Sequence, residues 1–410
     1  MSSNTRLPGV DGLRAVAALW VVLFHMAAFS SVQFPDIPGL DLFLKSGSTG
    51  VSLFLVLSGF CLFLPFAGGR IARFKVGEFF RRRCKRLLPA YYVALLLALT
   101  LSLASADWLG QPRLTLAEGV WQIATHLTLV HTLFPDTFYS LNGAFWSLGL
   151  EWQLYLALPV LVLITRRFGL SHALAVAVAI NVVYRLGLGV AVGSGYLDSQ
   201  GLLAISVLPN QLPGRWAEFA FGMLAADLYA SGRLERWARF VPGMLIAIVA
   251  LVPLSFLAER FELSHIVYGA LFFTLLSVVV TSNNPVARAL AWRPLVALGT
   301  MSYSLYLVHQ PVIQIAAHLL QVYRPDMSPT SVFMALLLIF PIILLLAWTL
   351  FQTVERRTMG GSSQAATSRL IPRFRIDGFS TIPTTPATPT AKAIIGRDPA
   401  AEVAERLTPS

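Results

Sequence analysis

Ten stretches of apolar residues, each near the length of a membrane-crossing helix, recur along this chain. They lie near 14–34, 48–66, 88–106, 145–165 and 171–192, then 212–231, 241–258, 265–282, 295–319 and 331–352. A bilayer core about 30 Å thick takes roughly 20 residues of helix to cross. Composition agrees, with 56% of the 410 residues hydrophobic and 12% charged, against about 45–50% and about 25% in soluble domains. The expected fold is therefore an all-α polytopic membrane protein of about ten transmembrane helices. The first stretch is not a cleaved signal peptide, being long, interrupted by polar residues and followed by nine others. There are only two cysteines. Cys61 sits in an apolar run and Cys84 in a basic one, which excludes a disulfide-stapled scaffold, and no Cys/His set has zinc spacing. No metal is expected.

Thirty-one Lys and Arg oppose 20 Asp and Glu, a formal +11. Cytoplasmic loops of membrane proteins hold the positive excess. With the amino terminus inside, the cytoplasmic segments carry Arg6, the stretch 68–87, Arg166, Arg167, Arg233, Arg236, Arg239, Arg288, Arg293, Arg356 and Arg357. The opposite loops carry Lys45, Arg113, Arg260 and Arg324, with Arg215 at a helix edge. Ten spans with both termini cytoplasmic fit this alternation. Residues 1–357 are read as the membrane domain. Residues 358–410, with the run TIPTTPATPT at 381–390, are too polar to offset chain entropy by burial and are expected to be a disordered cytoplasmic tail. In the longer outside loop 107–144, the stretch 116–134 reads as an interfacial helix. His126 and His131, five residues apart on it, would not share a face.

Ionisable side chains inside lipid are costly and mark functional positions. In DGLRAVAALWVVLFH, Arg14 and His25 lie eleven residues apart, only about 20° apart around a helix and roughly 16 Å apart along it. A neutral imidazole at that depth can take a proton from a hydroxyl. The stretch 70–92 carries eight basic residues (Arg70, Arg73, Lys75, Arg81, Arg82, Arg83, Lys85, Arg86) against Glu78 alone. Such a stretch can simply fix topology or hold anionic lipid, but guanidinium forks running into a span also suit phosphates. In FWSLGLEWQLYLALP, Ser147, Glu151 and Tyr155 recur every four residues and share a face. Glu151 could hold an arginine, orient an imidazole, or serve only as a structural ion pair. Glu218 and Asp227, near the ends of the sixth span, are weaker candidates. In SYSLYLVHQP, Tyr306 and His309 are one turn apart, and Pro311 frees a backbone carbonyl near them. No Ser-His-Asp or Cys-His order and no glycine-rich phosphate loop is visible. The basic stretch adjoins the membrane, which argues against nucleic acid.

Together, GVDGLRAVAALWVVLFH (9–25), GVSLFLVLSGF (50–60), FFRRRCKRLLPAYY (79–92), FWSLGLEWQLYLALP (145–159) and SYSLYLVHQPV (302–312) resemble, in order, the acyltransferase-3 family of integral-membrane O-acyltransferases. The resemblance covers about 1–357. It implies transfer of an acyl group, usually acetyl, from cytosolic acyl-CoA (acetyl-CoA the expected donor) to a carbohydrate-type hydroxyl, in a bacterial cytoplasmic membrane. It makes Arg14 and His25 the essential basic–histidine pair, Arg82, Arg83 and Arg86 the donor-binding arginines, and Glu151 a required acid. Tyr306 and His309 match the family's late aromatic–histidine stretch. Some members carry a periplasmic hydrolase-like domain. This sequence shows none, so it resembles the stand-alone members or works with a separate partner.

Two other classes suit parts of the sequence. A transporter or flippase of a charged or lipid-linked solute would use ten spans, buried His and Glu, and prolines inside helices. The lack of an internal repeat and the clustering of arginine beside the histidine tell against it. A membrane sensor or scaffold would use the tail as its output and would fail without residues 358–410.

Overall fold

Apolar runs of this length leave backbone groups no partner but one another, so each closes its own hydrogen bonds as helix. The computed structural model describes residues 7–34, 36–37, 39–105, 115–259, 263–281 and 284–358, and no strand occurs among them. All fall in one unit, Met1–Pro372. A second, Arg373–Ser410, lies outside the described residues, as does the expected tail beyond Thr358.

The helices are α1 (Pro8–Ser30), α2 (Leu40–Lys45), α3 (Gly50–Phe63), α4 (Val76–Ser105), α5 (Leu116–Leu127), α6 (Trp146–Phe168), α7 (Leu170–Gly193) and α8 (Leu212–Ala230). Then come α9 (Val241–Glu259), α10 (Ser264–Val280), α11 (Pro285–Leu290), α12 (Arg293–Thr300), α13 (Ser302–Tyr323), α14 (Pro329–Leu338) and α15 (Phe340–Leu350). A π-helical turn, Phe351–Glu355, carries α15 into α16, Arg356–Thr358. Helix occupies all ten apolar stretches. Among the described residues, six segments are long and apolar enough to cross a membrane: Pro8–Ser30, Leu40–Phe66, Val76–Leu103, Gly143–Phe168, Leu170–Gly193 and Pro329–Thr358. The apolar parts of α9 and α10 are shorter, and α8 carries Arg215, Glu218 and Asp227. Ten crossings with cytoplasmic ends is the topology we propose.

One boundary differs from expectation. The basic stretch before the third span is not a loop, because α4 starts at Val76 and runs 30 residues through Pro89. Arg81–Arg86 are thus the first turns of the spanning helix, and its geometry decides where each guanidinium faces.

Lipid tails are as apolar as leucine, so helices in a bilayer associate through close packing and polar contacts. The tight pair α3–α8 shows the first device. A Cβ on Gly59 would stand 2.0 Å from the Phe219 carbonyl oxygen, and one on Gly222 2.0 Å from that of Val56. The second device is beside it. Arg215 Nε donates to Glu218 Oε2 (2.6 Å), Nη1 to Asn210 Oδ1 (2.8 Å), and Nη2 to Ser52 Oγ (3.0 Å) and Glu218 Oε1 (3.2 Å). Removing one member of such a buried pair costs about 3–5 kcal/mol. Asp227 accepts from Gly68 N (3.0 Å) and pairs with Arg233 (2.5 Å), while Arg166 caps the Ile71 and Phe74 carbonyls. The Glu218 carboxylate is thus engaged by Arg215, which reaches across to α3 through Ser52, and Asp227 secures the turn before α4.

Candidate active site

Face-sharing on the helices builds one cavity. Arg14 of α1, Ser58 and Cys61 of α3, Arg83 and Arg86 of α4, and Ser147, Glu151 and Tyr155 of α6 line it, with Tyr303 and Tyr306 of α13 and Glu355 after α15. Its volume is about 130 Å³, and Val51, Phe54, Leu55, Leu62, Leu87 and Leu148 supply its apolar wall. The three α6 residues meet there because they recur every four positions. Arg83 and Arg86, three apart, do the same on α4. Arg82 lies 100° further round that helix. Its side chain is 51% exposed and pairs with Glu78 at 3.0 Å, so it stands apart from the other two predicted donor-binding arginines.

Hydroxyls hold Glu151. Ser58 Oγ donates to its Oε1 at 3.0 Å and Tyr155 OH at 2.5 Å. Arg14 and Arg83 share the cavity with Glu151, but neither an arginine nor an imidazole hydrogen-bonds it among the described residues. Both guanidiniums keep a buried Nε without a hydrogen-bond partner, and so does Glu355 Oε1. The other oxygen of Glu355 accepts from Ser304 Oγ at 2.6 Å, and the cations whose charge reaches it are Arg86 and Arg14.

His25 does not line this cavity. Three turns beyond Arg14 on α1, it meets His309 of α13, with His25 Nδ1 and His309 Nε2 3.3 Å apart. Carbonyls can only accept, so His25 Nδ1 donates to Val21 O (2.9 Å) and His309 Nδ1 to Tyr306 O (2.7 Å). As neutral imidazoles, both are then Nδ1–H tautomers with a lone pair on Nε2. The lone pair of His309 faces the Nδ1–H of His25, and that of His25 is left to act. Tyr306 links this pair to the cavity: it lines the wall, its ring lies 5.3 Å from that of His309, and its hydroxyl accepts from Ser147 Oγ at 2.7 Å. The carbonyl released by Pro311 is that of Leu307, and Asn142 Nδ2 donates to it at 3.0 Å.

Sequence reasoning missed Glu355, Ser58 and Tyr303. Glu355 offered one faint signal, a lone acid closing the last apolar run, but it reads equally well as the edge of the membrane. Outside the membrane spans, His126 and His131 also depart from expectation. The chain leaves helix after Leu127 and turns through Leu129 at φ 60°. The two rings therefore stack at 4.2 Å and 11° rather than lying on different faces of one helix. Burial, helped by the His126 charge, pushes the His131 imidazole down to about 3. Among the described residues no group of three or more potential metal ligands occurs.

Residues 7–351 match the family described as "Acyltransferase domain". The chain is 26% identical over 349 residues to "Peptidoglycan O-acetyltransferase OatA" of Listeria monocytogenes, covering 79% of this chain and 52% of that protein. It is 26% identical over 346 residues to "Putative peptidoglycan O-acetyltransferase YrhL" of Bacillus subtilis, covering 78% and 50%. It is 26% identical over 335 residues to "O-acetyltransferase OatA" of Staphylococcus aureus, covering 76% and 51%. It thus spans about half the length of the curated relatives it matches. No solved structure matches it.

Proposed function

The chain belongs to the acyltransferase domain family, and on that footing we propose that residues 1–357 move an acetyl group from cytosolic acetyl-CoA to a carbohydrate hydroxyl. As a multi-pass protein of a bacterial cytoplasmic membrane, it would meet its donor on the face where basic residues gather. The names of the relatives support acetyl as the group and a glycan as the acceptor.

The observation that carries the mechanism is the His25–His309 contact, linked through Tyr306 to a cavity lined by arginine. The Val21 carbonyl takes the Nδ1–H of His25, so Nε2 keeps its lone pair, and His309 packs against that same edge of the ring. The acceptor O–H gives its proton to that nitrogen as the oxygen attacks the thioester carbonyl. The carbon–sulfur bond then breaks, and the departing sulfur takes the proton back from His25. A general base of this kind contributes about 10²–10⁴ in rate. The alternative of a covalent acyl-His25 would use the same lone pair as nucleophile. Arg83 and Arg86 hold the donor at the cytoplasmic end. Arg14 lines the same cavity and shares α1 with His25, and Glu151 sets the charge balance of the cavity.

Purified protein in lipid vesicles, given acetyl-CoA and candidate glycans, tests this reading. We expect acetyl ester on the glycan, detected by mass spectrometry and dependent on the thioester. Ion-coupled solute uptake without ester formation would instead support a transporter.

A further inference from the structure

We infer that Glu355, with Arg14 and Arg83, grips an amide group in the arm of the donor, an inference that rests on the acyl-CoA donor proposed for this cavity. Three residues of the cavity lining each carry a buried atom without a partner: the Nε–H donors of Arg14 and Arg83, and the Oε1 acceptor of Glu355. Glu355 is 1% exposed and held in place from its other oxygen by Ser304. Taking such atoms out of water without replacing their hydrogen bonds is costly, and native proteins rarely leave them so. The Arg215–Glu218 pair shows the contrast, since Nε, Nη1 and Nη2 of that guanidinium all have acceptors.

A ligand completing the set must offer an acceptor to the guanidiniums and a donor to the carboxylate, within a space whose apolar wall includes four leucines. Phosphate offers acceptors only and would be repelled by Glu355 and Glu151. A bare thioester also lacks a donor. An amide offers C=O and N–H side by side, and the arm of acyl-CoA carries amides joined by methylene groups between its phosphates and its sulfur. On this account the arm threads the cavity, and the phosphates stay outside among exposed residues such as Arg82.

The test compares binding of acetyl-CoA with that of an analogue whose amide nearest the sulfur is replaced by an ester, which lacks the N–H. Both are titrated into the native protein and Glu355→Met, whose folding is checked by thermal unfolding in detergent. Glu355→Leu takes the place of Met if that variant does not fold. A hydrogen bond to a charged group is worth about tenfold or more in affinity. The native protein should therefore prefer the amide by about tenfold or more, and the variant should bind the two donors within about threefold of each other. Equal binding of both by the native protein, or a preference that survives in the folded variant, would overturn the assignment. Failure of the native protein to bind acetyl-CoA at all would bring down the donor reading itself.

Discussion

Three arginines and two glutamates share the inner cavity, and what each can do depends on its present partners. Glu151 is engaged by Ser58 and Tyr155, so its charge serves the cavity more than its lone pairs serve a ligand. Arg14 and Arg83 each keep an unused donor. Arg82 is half in water and tied to Glu78, where an ion pair is worth about 0–1 kcal/mol and is screened by salt. Two neighbours in the same basic run should therefore behave differently. Arg83→Gln should raise the KM for acetyl-CoA about tenfold or more, as expected for losing a charge-assisted hydrogen bond. Arg82→Gln should change it by about threefold or less, and that effect should fade with salt. Steady-state kinetics of the two variants at low and high salt checks this, and equal effects would contradict the separation of the two side chains on α4.

At the scale of elements, α13 joins the cavity to the deep histidines. It carries Tyr303, Tyr306 and His309 on one side, and its Pro311 releases a carbonyl that Asn142 takes up. Much of this was legible from spacing alone, because a helix of 3.6 residues per turn brings Ser147, Glu151 and Tyr155 together without tertiary information. What spacing cannot convey is which helices meet. The contact of His25 with His309 spans 284 residues of sequence, and Glu355 enters the cavity from beyond the last apolar run. The outside segment failed for a different reason. One helix was assumed over 116–134, whereas α5 ends at Leu127 and the chain reverses hand at Leu129. The buried His126–His131 stack that results has a pH signature. The unfolded segment takes a proton near the ordinary histidine value of about 6.5, while folded His131 does not until about 3. Between those values protonation favours the open form. The contribution is complete above about pH 6.5 and falls with pH by about 1.4 kcal/mol per unit for each such histidine. Hydrogen-exchange protection across 115–145 should decline as pH drops below 6.5, and less steeply in His131→Gln. Protection independent of pH would contradict the buried stack.

For the whole molecule, the surplus of positive charge has two readings that reinforce each other. As a topology signal it supports the proposed cytoplasmic placement of the start of α4. As chemistry it sets guanidiniums in the lining of a cavity that also holds Tyr306, whose ring lies beside that of His309. The solvent and the helix content follow from hydrophobic run length, and membership of the acyltransferase family agrees with the motifs on α1, α3, α4, α6 and α13. The convergence of α1, α3, α4, α6, α13 and the turn after α15 on one cavity is a property of packing, and α3 is held there against α8 by Gly59 and Gly222, which let the two backbones touch. The central claim is that this convergence delivers a thioester to His25. The most direct measurement is acetyl transfer to glycan by His25→Ala, reconstituted in vesicles beside the native protein at equal inserted amounts. The account predicts a rate lower by about 10²-fold or more with acetyl-CoA binding retained. Transfer at the native rate in that variant would contradict it.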